Sequence, residues 1–382
     1  MAEFGFTEMQ EMFRQEVRTF SQRELAPGSK QRVKLNHMPH ELLRKIAGMG
    51  ILGMGLPEKY GGSPGDWVSW GIATEEFGKV DSAIALYMVN RSATFTVLLE
   101  GTQEVCQEWL VPLIKAEIMS GIAFTEPSTG SDLSSLQAKA TRDGDNYILS
   151  GEKTSLTFGM EADVAVTLVK TDPTSRMGLS WFAVPMNLPN VSRQRLPDMG
   201  CLPITRARVF LDGVKVPAKN LIGKENHGIH VGLRALDIAR YLTGIGAIGM
   251  AQASIDEAIA YSKIRVAFGK PIGKFEGVSF QIAEHATRIE AARLLCYKAG
   301  WLIDQGLPFG KEAAMCKWFG CDVAVHAIHD ALLIHGHPGY TEDYPIEQRL
   351  RDVIGYEFAD AAPQIQKLVI ARELIGKEAI PY

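Results

Sequence analysis

The feature that most constrains this 382-residue chain is a double change of texture along its length. Residues 1–118 carry apolar side chains at helical spacing. Thr7 and Gln10 form a capping-box pair, and Met9, Phe13, Val17 and Phe20 follow on one helical face. The stretch "MGILGMGLPEKYGG" (49–62) interrupts this with glycines and a proline. Helical spacing then resumes through "WGIATEEFGKV" and "VLLEGTQEVCQEWLVPLI". Helices of this kind pack as a bundle. From 119 to 228 the runs become short and β-branched or alternating: "DNYILSGEKTSLTFG", "ADVAVTLVKT", "LSWFAVPM" and "RARVFLDGVKV", divided by Gly, Asp, Asn and Pro. They predict a small antiparallel β domain, a barrel or sandwich. Over 229–382 helical spacing returns, from "IGAIGMAQASIDEAIAYSKIRVAFG" to about 377. The expected fold is mainly α with a middle β domain.

Composition narrows the function. With 46% hydrophobic and 22% charged residues the chain can bury a large core, in two or three domains. A net charge of −4 offers no basic field for nucleic acid. The five cysteines (Cys106, Cys201, Cys296, Cys316 and Cys321) lack CxxC spacing, which predicts buried free thiols in a reducing compartment and no zinc site. Cys316 and Cys321 share a helical stretch with Trp318 and Phe319, a packing environment. No apolar run is long enough for a membrane helix. The opening "MAEFGFTEMQEMF" reads as neither a signal nor a transit peptide, so a cytoplasmic protein is expected. No internal repeat or low-complexity segment stands out.

Four segments could carry chemistry. "FTEPSTGSD" (124–132) joins the first helical region to the β region. Its Thr125, Gly130 and Ser131 offer hydroxyls and backbone N–H groups that suit a flat hydrogen-bonding cofactor or a phosphate, or build an ordinary turn. "RVAFGKPIGKFE" (265–276) separates two long helices. There Arg265 could meet a pyrophosphate and Phe268 an adenine, or the segment is a solvated connection. "HGHPGYTEDYP" (335–345) has His335 and His337 close together, without the acids or spacing of a metal site. "YEFADAAPQIQ" (356–366) carries Glu357 and Asp360. Asp is also a preferred helix N-cap, and Pro363 suits the first turn of the helix bearing Ile365, Leu368 and Val369.

These segments, in this order, resemble the acyl-CoA dehydrogenase family of flavoproteins. So do "FTEMQEMF", "LPEKYGG", "FLDGVKVPAKNLIG", "GMAQASIDEAIAYS", "GYTEDYPIEQRLRD" and "LVIAREL", and the similarity covers essentially the whole chain. The resemblance implies an N-terminal helical domain, a middle β domain and a C-terminal four-helix bundle, assembled as a homotetramer of paired dimers with FAD between domains. It implies that Phe124, Thr125, Gly130, Ser131 and Thr157 contact the flavin and its ribityl chain. Arg265, Phe268 and Gln364 would reach the adenine and pyrophosphate of a neighbouring subunit's FAD. Asp237 and Arg240 would flank the CoA of an acyl-CoA substrate, which Ser131 also borders. The implied reaction is removal of an α-proton by a carboxylate with transfer of the β-hydride to flavin, and an electron-transfer flavoprotein as acceptor.

The chain departs from the family pattern at several positions. The usual tryptophan beside the flavin is Ser155, the "FQ" after the Arg/Phe motif is Phe275–Glu276, and a common glutamine is Leu333. The paired glycines read Gly336–His337, and the usual Tyr-Glu-Gly-Thr is Ala359–Asp360–Ala361–Ala362. The match runs ungapped from Arg351 and Asp352 to Gln366, so Asp360 takes the base position and Glu357 does not. Ala359 and the shorter Asp360 widen the space around the reacting carbons, which favours a branched or alicyclic acyl-CoA. Arg91 is a candidate for an acyl carboxylate or, alternatively, a surface or ion-paired arginine. The alternatives to a dehydrogenase are a flavin-retaining lyase or decarboxylase, a dehydrogenase of carrier-protein thioesters, and a non-catalytic assembly member.

Overall fold

A computed structural model describes residues 5–379. The N-terminal helices are α1 (Glu8–Phe20), α2 (Ser29–Arg32), α3 (His40–Gly48), α4 (Trp67–Gly78), α5 (Ser82–Leu98), α6 (Gln103–Val105) and α7 (Val111–Ile114). The capping box of α1 is formed: Gln10 N–H donates to Thr7 Oγ1 at 3.2 Å, and Thr7 N–H donates to Gln10 Oε1 at 3.0 Å. Val17 and Phe20 point into the core, whereas Met9 is 78% exposed, so the buried stripe of α1 begins later than the spacing suggested. Helices α4 and α5 are buried almost all round, which explains why they are apolar on every face. Each has an aspartate cap: Asp66 accepts from Ser69 N–H, and Asp81 from Ala83 and Ile84 N–H.

The middle region is one eight-stranded sheet in the order β6-β7-β3-β2-β4-β5-β8, with β1 paired to β4. Its strands are β1 (Ser120–Ala123), β2 (Lys139–Asp143), β3 (Asn146–Leu156), β4 (Val164–Lys170), β5 (Leu179–Pro185), β6 (Val191–Arg195), β7 (Ala207–Pro217) and β8 (Leu221–Ile222). The sheet is mixed, which corrects the antiparallel expectation: β1 runs parallel to β4, and β2 touches β4 in parallel at Lys139–Lys170. Period-2 patterning marks which face of a strand is buried but not its direction, so this pairing was not legible. Strands β4 and β5 are buried on both faces and read as continuous apolar runs.

The C-terminal region is a helical bundle around α8 (Gly228–Ile264). After the small hairpin β9 (Val266–Ala267) and β10 (Lys270–Pro271) come α9 (Glu276–Asp304), α10 (Gly310–His335), α11 (His337–Tyr340), α12 (Ile346–Phe358) and α13 (Pro363–Ile375). Helix α8 is packed by α4, α5, α9 and α10, so it runs through the centre of the molecule. At Gly249 of α8 a Cβ atom would lie 2.3 Å from Glu75 O of α4, so only glycine permits this helix crossing. All five cysteines are free and buried, and burial pushes the Cys321 thiol up to about 12.

Candidate active site

Helix α8 is the common floor of the site. At its N-terminal end Gly232 touches Phe124 and Trp181, where a Cβ would approach within 3.2 and 3.1 Å, and those two rings meet edge to face at 4.8 Å. Further along, Arg240 and Thr243 hold the 359–362 segment. Gly232 and Thr243 share a face of α8 and are separated by roughly 16 Å along its axis. The loop that follows β1 and the turn between α12 and α13 therefore dock on one helix, about three turns apart.

The first loop is braced by a buried ion pair. Lys153 of β3 is fully buried and donates to Glu126 Oε1 at 2.8 Å and to Phe124 O at 3.1 Å. Glu126 also accepts from Gln137 and Ala138 N–H, at 2.6 and 3.0 Å. Burial pushes the Lys153 ammonium down to about 8, against the opposing pull of Glu126. Beyond Lys153, β3 shifts register before Leu156, and Ser155 adopts a φ of +60°. A bulge of this kind turns side chains out of the sheet plane. Among the described residues, the hydroxyls of Thr125, Ser131 and Thr157 make no hydrogen bonds, while Phe124 and Thr125 are only partly buried. An aromatic side chain with unsatisfied hydroxyls and an exposed Gly130–Ser131 turn suits the polar rim of an isoalloxazine ring, so these residues fit a flavin.

The second element answers whether Asp360 is a cap. It is not. The N-cap of α13 is Ala362, with Pro363 at the first helical position and no side-chain cap bond. The Asp360 carboxylate instead accepts from Thr243 Oγ1 at 3.0 Å. The backbone here is left-handed, with φ of +51° at Asp360 and +80° at Ala361. It is held from three sides. Arg240 Nε and Gln366 Nε2 donate to Asp360 O at 3.3 and 2.8 Å, and Lys317 Nζ donates to Ala361 O at 2.8 Å and to Glu357 O. Burial raises the Asp360 carboxyl above the usual aspartate range, with Lys317, Thr243 and Arg240 pulling it back. Glu357 lies in the last turn of α12, and its side chain makes no hydrogen bond among the described residues.

Arg206 connects the two elements. Its Nη1 donates to Ser155 Oγ at 2.8 Å, it pairs with Asp198, and its guanidinium sits 5.7 Å from the centre of the Phe358 ring, next to Ala359. Asp352 anchors α12 on the middle domain by accepting from Cys201 N–H at 2.5 Å. Sequence reasoning missed Thr243, Lys317, Gln366, Arg206 and the Lys153–Glu126 pair. The one available signal was Lys317, a lone cation inside the apolar run "AAMCKWFGC".

Other expected residues fall differently. Arg91 is fully buried. It donates to Ser120 Oγ and, at 3.4 Å, to Ile118 O, and it stacks on the Tyr87 ring at 4.4 Å. It is neither a surface nor an ion-paired arginine among the described residues, and it braces α5 against the start of β1. Arg240 is buried and committed to Asp237, at 2.7 Å, and to the Asp360 carbonyl, so it is a loop anchor. Asp237, with its side chain 22% exposed, is the member of the pair that still reaches solvent. Arg265 and Gln364 are exposed, and Phe268 is 95% exposed on the tip of the β9–β10 hairpin, so none of the three joins the site within this chain. His335 stacks on Tyr261, and no cluster of metal-ligating residues occurs among the described residues.

The strain at Ala361 carries a prediction. An L-residue in the left-handed region costs roughly 1–2 kcal/mol, partly offset by the greater unfolded-state freedom of glycine. Ala361→Gly is expected to raise stability by about 0.5–1 kcal/mol in chemical denaturation; a loss of stability would show that the methyl group packs usefully.

Three family models match the chain: acyl-CoA dehydrogenase N-terminal domain over residues 7–117, middle domain over 121–214 and C-terminal domain over 226–375. An acyl-CoA dehydrogenase of Bacillus subtilis (strain 168) is 36% identical over 374 residues, covering 97% of this chain and 99% of that protein. The caffeyl-CoA reductase-Etf complex subunit CarC of Acetobacterium woodii is 35% identical over 377 residues, covering 97% and 100%. Among solved structures, butyryl-CoA dehydrogenase from Megasphaera elsdenii superimposes with a TM-score of 0.94 at 32% identity, covering 98% of this chain and 100% of that one.

Proposed function

The chain belongs to the acyl-CoA dehydrogenase family, whose members are FAD-dependent oxidoreductases, and from that premise we propose that it oxidises a branched or alicyclic acyl-CoA with Asp360 as the base. The observation that carries this is the Asp360 carboxylate itself: partly buried, held by Thr243, and set on a backbone turn fixed from three helices. A carboxyl raised above its ordinary range is a better base than a free aspartate, because its proton affinity lies closer to working pH. When bound, FAD supplies the two-electron acceptor for the β-hydride. Phe124, Thr125, Ser131 and Thr157 would hold its ring and ribityl chain, and Asp237 would border the CoA. Asp360 takes the α-proton, and enolate charge develops on the thioester oxygen.

The substrate class rests on Ala359 and Asp360, which replace an aromatic ring and a longer carboxylate beside the reacting carbons. The exposed apolar groups Ile264, Val266, Phe268 and Leu333, together with the exposed Arg265 and Gln364, support assembly into a homotetramer in which these residues meet a neighbour's FAD. An electron-transfer flavoprotein is the proposed acceptor, in line with the Etf complex named for the Acetobacterium relative. Five buried free thiols suit a reducing cytoplasm.

Anaerobic mixing with cyclohexanecarbonyl-, isobutyryl-, glutaryl- and octanoyl-CoA tests the reading. Bleaching of the flavin, fastest with the first two thioesters, is expected. A preference for octanoyl-CoA would remove the wide-pocket argument. Product without bleaching would select a non-redox elimination.

A further inference from the structure

Lys317 stands out among the buried groups that the reaction scheme leaves unused. It lies in the N-terminal third of α10, has no exposed surface, and forms no ion pair with an acidic side chain among the described residues. A buried ammonium without a counter-ion is costly, and burial lowers its proton affinity. Its hydrogen bonds go to two main-chain carbonyls, Glu357 O and Ala361 O, on either side of Asp360. The first belongs to the last turn of α12, where carbonyls have no helical partner and the helix dipole favours a cation. The second follows the two left-handed residues.

We propose that Lys317 is a positioning residue for the base: it pins both ends of the left-handed turn so that the Asp360 carboxylate faces the reacting carbon, and it sets a positive charge beside that carboxylate. The physical reason lies in the turn. Asp360 and Ala361 both hold positive φ without glycine, so the local backbone does not favour the observed geometry and an outside clamp must select it. Arg240 of α8 grips the Asp360 carbonyl, and Gln366 of α13 donates to both Asp360 O and Ala361 O, at 2.8 and 3.2 Å. Among the described residues, the Lys317 side chain ties the turn back to the end of α12.

The charged and titratable groups around Asp360 are Arg240 and Asp237 of α8, Lys317 and Cys321 of α10, and Glu357 of α12. Cys321 stays protonated, and Arg240 is partly neutralised by Asp237. Removing Lys317 therefore removes most of the unpaired positive charge facing the carboxylate.

This assignment rests on Asp360 being the base, and the experiment separates the two. Lys317→Met keeps the volume and removes the charge and donors, while Lys317→Gln keeps a donor without charge. In holoenzyme with normal FAD content, Lys317→Met is expected to lower kcat on the order of 100-fold with KM within a few-fold. The acid limb of its pH–rate profile should move up by about one pH unit. An isotope-edited infrared titration of the Asp360 carboxyl, taken as a difference against Asp360→Asn, should move the same way. Lys317→Gln should recover part of kcat but keep the shifted acid limb. Unchanged kcat and acid limb in Lys317→Met overturn the assignment, and so does failure of both variants to fold, which would make Lys317 a folding determinant. If Asp360→Asn itself reduces flavin normally, the base assignment is what fails.

Discussion

Asp360→Asn should bind FAD and acyl-CoA as the wild type does yet lose substrate-dependent flavin reduction by about 10²–10⁴-fold, whereas Glu357→Gln should reduce within a few-fold of wild type. The magnitude is that of a positioned general base. Asparagine can still accept from Thr243 Oγ1, and the Asp360 carbonyl that anchors Arg240 and Gln366 is unaffected, so the turn survives the substitution. Glu357 contributes its carbonyl to Lys317, and that bond also survives in Glu357→Gln. Stopped-flow absorbance under anaerobic conditions reads both variants. Normal reduction by both would place the base elsewhere; loss only in Glu357→Gln would mean the register at 356–360 is wrong. The same measurement over pH has a defined sign. Because burial raises the Asp360 carboxyl, the wild-type rate should fall with decreasing pH at a value above the ordinary aspartate range.

Lys153→Met should destabilise the protein by about 3–5 kcal/mol, the usual cost of leaving one member of a buried ion pair uncompensated. Glu126 is 4% exposed and would be left with only the Gln137 and Ala138 N–H donors. The loss should also loosen the Phe124–Thr125 segment, because Lys153 holds Phe124 O while Thr154 N–H holds Thr125 O at 2.8 Å. Reduced FAD content at limiting cofactor is therefore expected alongside a lower denaturation midpoint. The double variant Lys153→Met/Glu126→Leu removes both charges and should recover much of the stability but not the loop geometry. If the single variant is as stable as wild type, the pair contributes nothing net and the brace argument fails.

Much of this protein was determined by its sequence alone, for reasons that are local. Period-2 and helical spacings are properties of consecutive residues, so the helix–sheet–helix order, the strands around 146–156, 164–170, 179–185 and 207–217, and the capping box at Thr7–Gln10 could be read directly. The proposal of Asp360 as the base comes from the sequence, because the 351–366 segment resembles its family without a gap. Tertiary structure alone decided the rest. That β1 lies parallel to β4 depends on where the chain returns after leaving the sheet. Asp360 is a partly buried carboxylate and not a helix cap because its backbone turns left-handed and because Thr243, over a hundred positions earlier, supplies the donor. Arg91 and Arg240 became braces for the same reason. A guanidinium in a sequence has no direction, and only packing against Ser120 in one case and the Asp360 carbonyl in the other gave each of them a partner.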